Sequence, residues 1–397
     1  MELKIVPESE IQTRIANLQS KLLEKEIDGS IIVLNSDMFY FTGTVQNAVL
    51  YVPVEGEPVL IVKKSLSRAH DESPLKNIVT MRSTRQVPGI LESFGYRDIK
   101  RIGLELDVLP YNNYVMYQRL FPEAIFEDIS PAIKEVKAVK SPYEIDLLRD
   151  ALRVIDEAHR AVPSFLREGM LEIELAALFE AEMRKRGYSG CSKMRAFNQD
   201  LFLGNTCSGK GALAPSFFDG PVGGLGVAAT HPHGAGWKKV NRNEPVYIDY
   251  TCVVHGYTGD QTRMFCIGEL SPEMLKAYED TLFIESEILK IMKPGIPAEE
   301  PHILGLKLAE ELGYKDNFMG YKENQVKFIG HGIGLELDEL PILARGLKTP
   351  IVPGMTFAME PKLVLPEGAI GIENSYVMTE KGPEFLSVTP EIIYYVE

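Results

Sequence analysis

Two aspartates lie in a segment whose other residues are typical of buried strands. Residues 246–265 read VYIDYTCVVHGYTGDQTRMF, which predicts a hairpin with Asp249 in one arm and Asp260 in the other. A carboxylate that follows Val-Tyr-Ile is costly to bury unless it is paired with a cation or bound to a metal. Structural ion pairs and solvent-facing aspartates occur in similar places, so this pair alone leaves both interpretations open.

A histidine and two glutamates occur in comparable surroundings further along the chain. His331 lies in the segment GHGIG, where the flanking glycines let the backbone approach closely. Glu360 follows Phe-Ala-Met, and Glu373 lies in a mostly apolar run. Four carboxylates and one imidazole would suit two divalent ions that share bridging oxygens. The ordered set Asp249, Asp260, His331, Glu360 and Glu373 is therefore a candidate dinuclear metal site.

The elements that must position these residues fall into two groups, and the first third of the chain predicts a small α/β domain. Apolar residues from Ile11 to Leu22 recur at helical spacing, and residues 111–120 favour another helix. Short apolar runs favour strands at 30–34, 49–54, 59–62 and 102–106. We place this domain at residues 1–135.

A second domain, residues 136–397, is predicted to begin with a capped helix. Ser141 can cap the helix, Pro142 suits its first position, and Glu144 can close a capping box. Helical patterns at 142–161, 172–186, 272–291 and 298–313 stand apart from strand-rich stretches. This segregation favours an α+β fold.

Length and composition restrict the class of protein. A chain of 397 residues exceeds the usual size of one core, which agrees with two domains. The formal charge of −14 argues against a nucleic-acid partner. The start MELKIVPESE lacks the apolar core of a signal peptide, and no window reaches the length of a membrane span. We therefore expect a cytoplasmic protein with no membrane partner.

Four motifs carry a family resemblance: VYIDYTCVVHGYTGDQTR, GHGIGLELDELP, GMTFAMEP and GIENSYVMTEKGPE. Together they resemble the pita-bread metallohydrolases, which comprise prolidases, Xaa-Pro aminopeptidases, methionine aminopeptidases and the metal-free creatinases. The resemblance covers residues 141–397, and FYFTG at 39–43 adds a looser similarity to the creatinase-type amino-terminal domain. It implies a pita-bread catalytic domain preceded by a smaller α/β domain.

The resemblance also implies a role for each candidate ligand. Asp249 would be a terminal ligand of one ion, while Asp260 and Glu373 would bridge both ions. His331 and Glu360 would complete the second ion, with a hydroxide held between the two. Glu360 would in addition shuttle the proton. The implied cofactors are two divalent ions per chain, manganese or cobalt before zinc or iron.

The implied reaction is hydrolysis of Xaa-Pro peptide bonds, by an Xaa-Pro aminopeptidase or a prolidase. His233, in the segment HPHG, matches the substrate-facing catalytic histidine of the family. The implied partners are short peptides with proline at the second position and a second copy of the chain in a homodimer.

Three positions depart from the family pattern. Asp338 stands where the family has a substrate-contacting histidine, so it would contact a substrate amine or act in its protonated form. Lys327 replaces a second histidine, and it would either bind a substrate carboxylate or lie exposed. Gly371 replaces an arginine two residues before the bridging glutamate. These departures bear on the substrate more than on the metal.

Two other functions remain open at this stage. One is hydrolysis of a non-peptide C–N bond, with metal or in the manner of creatinase. The other is a pita-bread domain that binds a partner without catalysis. The complete ligand set argues against the creatinase-like and the non-catalytic readings, whereas Asp338 keeps the non-peptide substrate open.

Overall fold

The computed structural model describes residues 4–195, 197–198 and 203–397. These residues form two compact units. The first contains 4–137 together with 195 and 197, and the second contains the remaining described residues from 138 to 397. Among the helices of the described ranges, none combines the length and the apolar character needed to cross a membrane.

The first unit is an α/β domain built on a mixed sheet. Its helices are α1 (Glu8–Glu24), α2 (Asn35–Thr42), α3 (Leu66–Glu72), α4 (Val87–Ser93), α5 (Tyr111–Leu120) and α6 (Ser130–Ala138). Its strands are β1 (Gly29–Ile32), β2 (Ala48–Pro53), β3 (Val59–Val62), β4 (Asn77–Thr80), β5 (Arg101–Leu104) and β6 (Ile125–Asp128). They lie in the order β4-β3-β2-β1-β5-β6. The four strands and two helices expected here from the sequence are confirmed.

The second unit holds the helices α7 to α10 and the strands β7 to β16. The helices are α7 (Pro142–Ala161), α8 (Glu172–Lys185), α9 (Pro272–Ile291) and α10 (Glu300–Glu311). The first strands are β7 (Gly204–Ser208), β8 (Val246–Val254), β9 (Tyr257–Ile267), β10 (Gly330–Gly332) and β11 (Thr356–Met359). The last are β12 (Lys362–Leu365), β13 (Gly368–Gly371), β14 (Asn374–Thr379), β15 (Gly382–Phe385) and β16 (Ile393–Val396).

Two four-stranded sheets of the second unit meet near the candidate ligands. One has the order β16-β9-β8-β7 and the other β10-β11-β14-β15, while β12 and β13 form a separate hairpin. An isolated bridge between Thr262 and Glu373 joins β9 to the residue that precedes β14. The strands that carry the aspartates are thereby linked to the strands around the histidine and glutamates.

The start of α7 follows the predicted capping box. The Glu144 amide donates to the Ser141 hydroxyl at 3.2 Å, and the Ser141 amide donates to the Glu144 carboxylate at 3.0 Å. The Tyr257 hydroxyl donates to the same carboxylate at 2.8 Å, which ties the helix to β9. Leu152 and Ile155 are buried on the face that packs against β8 and β9. The helix thus supports the hairpin that carries the two aspartates.

Candidate metal centre

The β8–β9 hairpin places its two aspartates on one face. Asp249 pairs with Thr262, and Asp260 pairs with Thr251. The two aspartates are therefore offset by an even number of positions across the ladder, and side chains at such positions lie on the same face. The predicted hairpin is confirmed.

His331 lies at the centre of the short strand β10, opposite Ala358 of β11. A Cβ atom at the neighbouring Gly332 would lie 2.4 Å from the carbonyl oxygens of Glu339 and Leu340. Only glycine can occupy this position without displacing that backbone. The close backbone approach expected around the histidine is thus present.

The two glutamates lie at strand ends that adjoin the histidine. Glu360 follows β11, and its amide donates to the Ile329 carbonyl at 3.0 Å. Glu373 precedes β14, and its carboxylate accepts from the Thr262 hydroxyl at 2.9 Å. The Arg263 guanidinium donates to the Glu373 carbonyl at 2.9 Å and fixes the backbone there. Both glutamates are buried as predicted.

Three carboxylates converge on the imidazole of His331. Its Nε2 lies 3.6 Å from Asp260 Oδ2, 3.8 Å from Glu360 Oε1 and 4.0 Å from Glu373 Oε1. Ligands that bind one ion at about 2.1 Å lie roughly 3–3.5 Å apart, so a small contraction would seat an ion here. Asp260, His331 and Glu373 form the group of described residues that could hold a metal. The donor set fits one divalent ion.

A lysine that the sequence analysis did not single out occupies the other side of the cluster. Lys362 Nζ donates to Glu360 Oε2 at 2.6 Å, to Asp249 Oδ2 at 2.9 Å and to Glu373 Oε2 at 3.0 Å. The side chain is only 1% exposed. The available signal was a lysine directly before the apolar run Leu-Val-Leu. The cation that the buried glutamates require is thus supplied in part by the chain itself.

The oxygens of the two glutamates are divided between the lysine and the histidine. Glu360 directs Oε2 to Lys362 and Oε1 toward His331. Glu373 divides its two oxygens in the same way. Asp249 lies on the lysine side, where its Oδ2 also accepts from the Tyr247 hydroxyl at 2.5 Å. The centre therefore has an ammonium side and an imidazole side.

The carboxylates of the centre outnumber its positive charges. Burial, together with the charge of Asp249, raises the pKa of Asp260 well above its usual value. Burial and the charge of Asp260 do the same to the pKa of Glu373. Burial would also raise the pKa of Asp249, but Lys362 and the Tyr247 hydroxyl outweigh it and lower that pKa. The excess of buried carboxylates on the imidazole side gives a divalent ion a favourable place.

Two of the departures from the family pattern have different structural settings. A Cβ atom at Gly371 would lie 2.9 Å from Lys362 Cγ and 2.7 Å from the Pro361 carbonyl oxygen. A side chain at position 371 is therefore incompatible with Lys362 in its observed place. Lys327 is exposed, as one of its two sequence-based expectations had it; the other was that it binds a substrate carboxylate.

The predicted substrate-facing residues lie in two loops. His233 is buried, and burial lowers its pKa to about 4 despite the opposing charge of Asp249. Its Nδ1 lies 3.1 Å from the Ser216 hydroxyl, and its ring contacts Phe218. Ser216 and Phe218 also line a cavity of about 290 Å³. Asp338 is half-buried in the turn that follows His331 in the chain.

Family models match both parts of the chain. Residues 146–380, more than half of the chain, match metallopeptidase family M24. Residues 14–139 match the creatinase/prolidase amino-terminal domain. Among curated proteins, the chain is 26% identical to an Xaa-Pro dipeptidase of Pyrococcus furiosus over 383 residues, which is 96% of this chain and 99% of that protein. An uncharacterized peptidase of Bacillus subtilis is also 26% identical, over 95% of this chain and 98% of its own length.

Solved structures show the same two-domain architecture. An Xaa-Pro dipeptidase from Bacillus anthracis matches with a TM-score of 0.83 and 26% identity, over 97% of this chain and 100% of that chain. An X-Pro aminopeptidase from Thermotoga maritima matches with a TM-score of 0.79 and 25% identity, over 94% and 99% of the two chains. The predicted fold, a pita-bread catalytic domain with a creatinase-type amino-terminal domain, is confirmed. The chain belongs to metallopeptidase family M24.

Proposed function

We propose that this chain is a metal-dependent peptidase that hydrolyses Xaa-Pro bonds in short peptides. One observation carries the proposal: Asp260, Glu360 and Glu373 converge on His331 Nε2, within 4.0 Å at the widest. Relatives named Xaa-Pro dipeptidase and X-Pro aminopeptidase support this substrate class. Both prolidase and aminopeptidase activity agree with that class.

The chain's own residues would perform the binding and proton-transfer steps. A bound divalent ion supplies Lewis acidity, which makes water a stronger acid and polarises a carbonyl group. The side chains of Asp260, His331, Glu360 and Glu373 would hold that ion. Glu360 has one oxygen on the imidazole side and can take a proton from water and pass it to the leaving amine. For an Xaa-Pro bond the leaving amine is the proline nitrogen.

His233 is the proposed catalytic and substrate-binding histidine outside the ligand set. Because its pKa is about 4, the imidazole is neutral at ordinary pH. Ser216 and Phe218 contact the ring. The other ring nitrogen of a neutral imidazole can then donate a hydrogen bond to a peptide group or accept one from it. We propose the adjoining cavity as the place where part of the peptide binds. Asp338 remains our candidate for contacting the substrate amine.

Three further properties are proposals from the family resemblance. They are manganese or cobalt as the native ion, a cytoplasmic location, and a homodimeric state. Carboxylate ligands and one imidazole suit several divalent metals, so availability decides which is bound. The mass in solution is a direct check of the dimer, since one chain has a mass of 44.4 kDa.

The test of the proposed function is hydrolysis of Xaa-Pro dipeptides and Xaa-Pro-Yaa tripeptides by the full chain. Chelated protein should be inactive, and manganese or cobalt should restore cleavage. Preference for the dipeptide would identify a prolidase, and preference for the tripeptide an aminopeptidase. Equal cleavage by chelated and reloaded protein would contradict a metal-dependent reaction.

A pair of variants shows whether the centre carries the activity. Glu373→Ala removes an oxygen donor from both sides of the centre, and we expect kcat/KM to fall at least about a hundredfold. Glu180→Ala is the matched control. Glu180 accepts from the Tyr250 hydroxyl at 3.2 Å, and Tyr250 faces away from Asp249 along β8. Near-normal activity of Glu373→Ala would contradict the assignment.

A second candidate function is hydrolysis of a non-peptide C–N bond. The observation that favours it is Asp338, which lies half-buried in the turn after His331 and would repel the oxyanion that forms when a peptide bond is cleaved. Metal binding without cleavage of any Xaa-Pro peptide would support this alternative over the peptidase.

A further inference from the structure

Lys362 is the buried group whose place the proposed function does not explain. Its ammonium is surrounded by one oxygen each from Asp249, Glu360 and Glu373, at 2.6–3.0 Å. The three oxygens lie on the side of the centre opposite His331. An ion that needs Asp249 as a ligand would have to use these same donors.

The distribution of the oxygens resembles that around a pair of cations. Glu360 and Glu373 each turn one oxygen to the ammonium and the other to the imidazole side. Carboxylates that bridge two positive centres divide their oxygens in this way. Here one of the positive centres is a lysine nitrogen.

The side chain of Lys362 is enclosed by a ring, a backbone segment and the carboxylates. Its Nζ lies 5.5 Å from the centroid of the Tyr247 ring, and its Cγ lies against the backbone of Gly371. The Tyr247 hydroxyl shares Asp249 Oδ2 with the ammonium, so that oxygen already has two donors. A second divalent ion would share these oxygens with a like charge, and the two charges would repel each other at close range. Moving the ammonium away from these carboxylates would leave a buried positive charge without its ion pairs.

We infer that the centre of this chain binds a single divalent ion, on the imidazole side, and that the Lys362 ammonium takes the place of the second. This inference rests on the proposed function only for the existence of a metal-binding site. It replaces the expectation of two ions per chain with one ion and one lysine. The ion would be held by Asp260, His331, Glu360 and Glu373.

Metal stoichiometry tests the inference without reference to activity. The chelated full-length protein is titrated with manganese by calorimetry, and bound metal is counted by elemental analysis after desalting. We expect one manganese per chain and the electron paramagnetic resonance spectrum of an isolated ion. Two ions per chain with an exchange-coupled spectrum would overturn the inference, and so would the absence of any bound ion.

A pair of lysine variants assigns the effect to Lys362. Lys362→Ala removes the ammonium and opens its place, so we expect two ions per chain. Lys140→Ala is the control, because Lys140 is equally buried but pairs with Glu339 at 2.8 Å, and its count should stay at one. A count that remains at one in folded Lys362→Ala would contradict the replacement. If that variant does not fold, the count for the unaltered protein alone decides.

The outcomes separate this inference from the proposed function. One ion per chain without cleavage of Xaa-Pro peptides would support the single-ion inference and contradict the proposed peptidase function. Two ions per chain with metal-dependent cleavage would support the peptidase function and contradict the single-ion inference.

Discussion

At the scale of single residues, the centre depends on how one buried ammonium is accommodated. Lys362 is surrounded by carboxylates that raise its pKa well above the usual value, although burial alone would lower it. The lysine is therefore charged at neutral pH. Gly371 makes this possible, since its missing side chain leaves space for Lys362 Cγ.

The contact between Gly371 and Lys362 gives the first prediction at this scale. Gly371→Ala puts a Cβ atom 2.9 Å from Lys362 Cγ and 2.7 Å from the Pro361 carbonyl oxygen. We expect the free energy of unfolding to fall by about 1–3 kcal/mol, the usual cost of overpacking. Urea unfolding followed by circular dichroism measures it.

A double-mutant cycle separates the two clashes of that variant. Adding Lys362→Ala to Gly371→Ala removes the side-chain clash and leaves the backbone clash, so we expect a coupling energy between the two changes. Strictly additive losses would show that position 371 does not constrain the lysine.

Asp338 is the residue at which substrate preference is predicted to change. Asp338→His restores the residue type that the family resemblance places there and removes a negative charge that would repel a developing oxyanion. We expect kcat/KM for Xaa-Pro substrates to rise roughly tenfold, which corresponds to about 1.4 kcal/mol. A fall in kcat/KM would mean that Asp338 itself binds the substrate, and the matching change in KM would identify that role.

At the scale of elements, the β8–β9 hairpin and the helix behind it position the aspartates. His159 of α7 lies between the helix and β8, with Nδ1 3.1 Å from the Ile155 carbonyl and Nε2 3.4 Å from the Ile248 carbonyl. Its ring also packs against Phe179 and Phe265. Burial, with the charge of Arg263, lowers the pKa of His159 from 6.5 to about 4.

This histidine makes the packing of α7 sensitive to acid. Between pH 6.5 and about 4 the unfolded chain binds the imidazole proton more tightly than the folded chain does. The contribution of His159 to stability therefore decreases as the pH falls through this window, and below it this group causes no further loss. From about pH 7.5 to about pH 5 the contribution of His159 is about 2 kcal/mol.

Urea unfolding at those two pH values tests the contribution. We expect His159→Gln to lose about 2 kcal/mol less than the unaltered protein between them, because glutamine does not titrate. Because the free energies of unfolding at the two pH values are compared within each protein, the packing cost of the substitution cancels. An identical pH dependence in both proteins would contradict the assignment.

At the scale of the whole molecule, the candidate ligands all belong to the second compact unit. An ion that binds the folded form alone stabilises it by about 2.7 kcal/mol at a hundredfold excess over its dissociation constant. For a unit of this size, that raises the unfolding midpoint by about 5–10 °C. Calorimetry with and without manganese measures the shift.

Hydrogen exchange shows which part of the chain is stabilised. We expect manganese to increase protection around β9, β10 and β14, where Asp260, His331 and Glu373 lie. Glu373→Ala serves as the control and should lose most of the shift. An equal shift in that variant would place the binding site elsewhere.

Much of the centre could be predicted from the sequence because its parts are local patterns. The hairpin follows from two β-branched runs around a glycine, and the helix start from Ser141, Pro142 and Glu144. Carboxylates in apolar strands indicate buried charge wherever they occur. The ordered ligand set and its family resemblance needed no knowledge of contacts.

Only the tertiary structure decided which cation meets these carboxylates. Lys362 donates to Asp249 across 113 positions of the chain, and no spacing rule connects two residues so far apart. Gly371, by contrast, lies opposite Lys362 in the β12–β13 hairpin, so its contact with the lysine is local in the chain. Apolar runs in the sequence indicate which strands are buried, and nearly every residue of β8 and β9 is buried. The partner of a buried charge is determined by how separate strands pack, and here that packing placed a lysine among the predicted ligands.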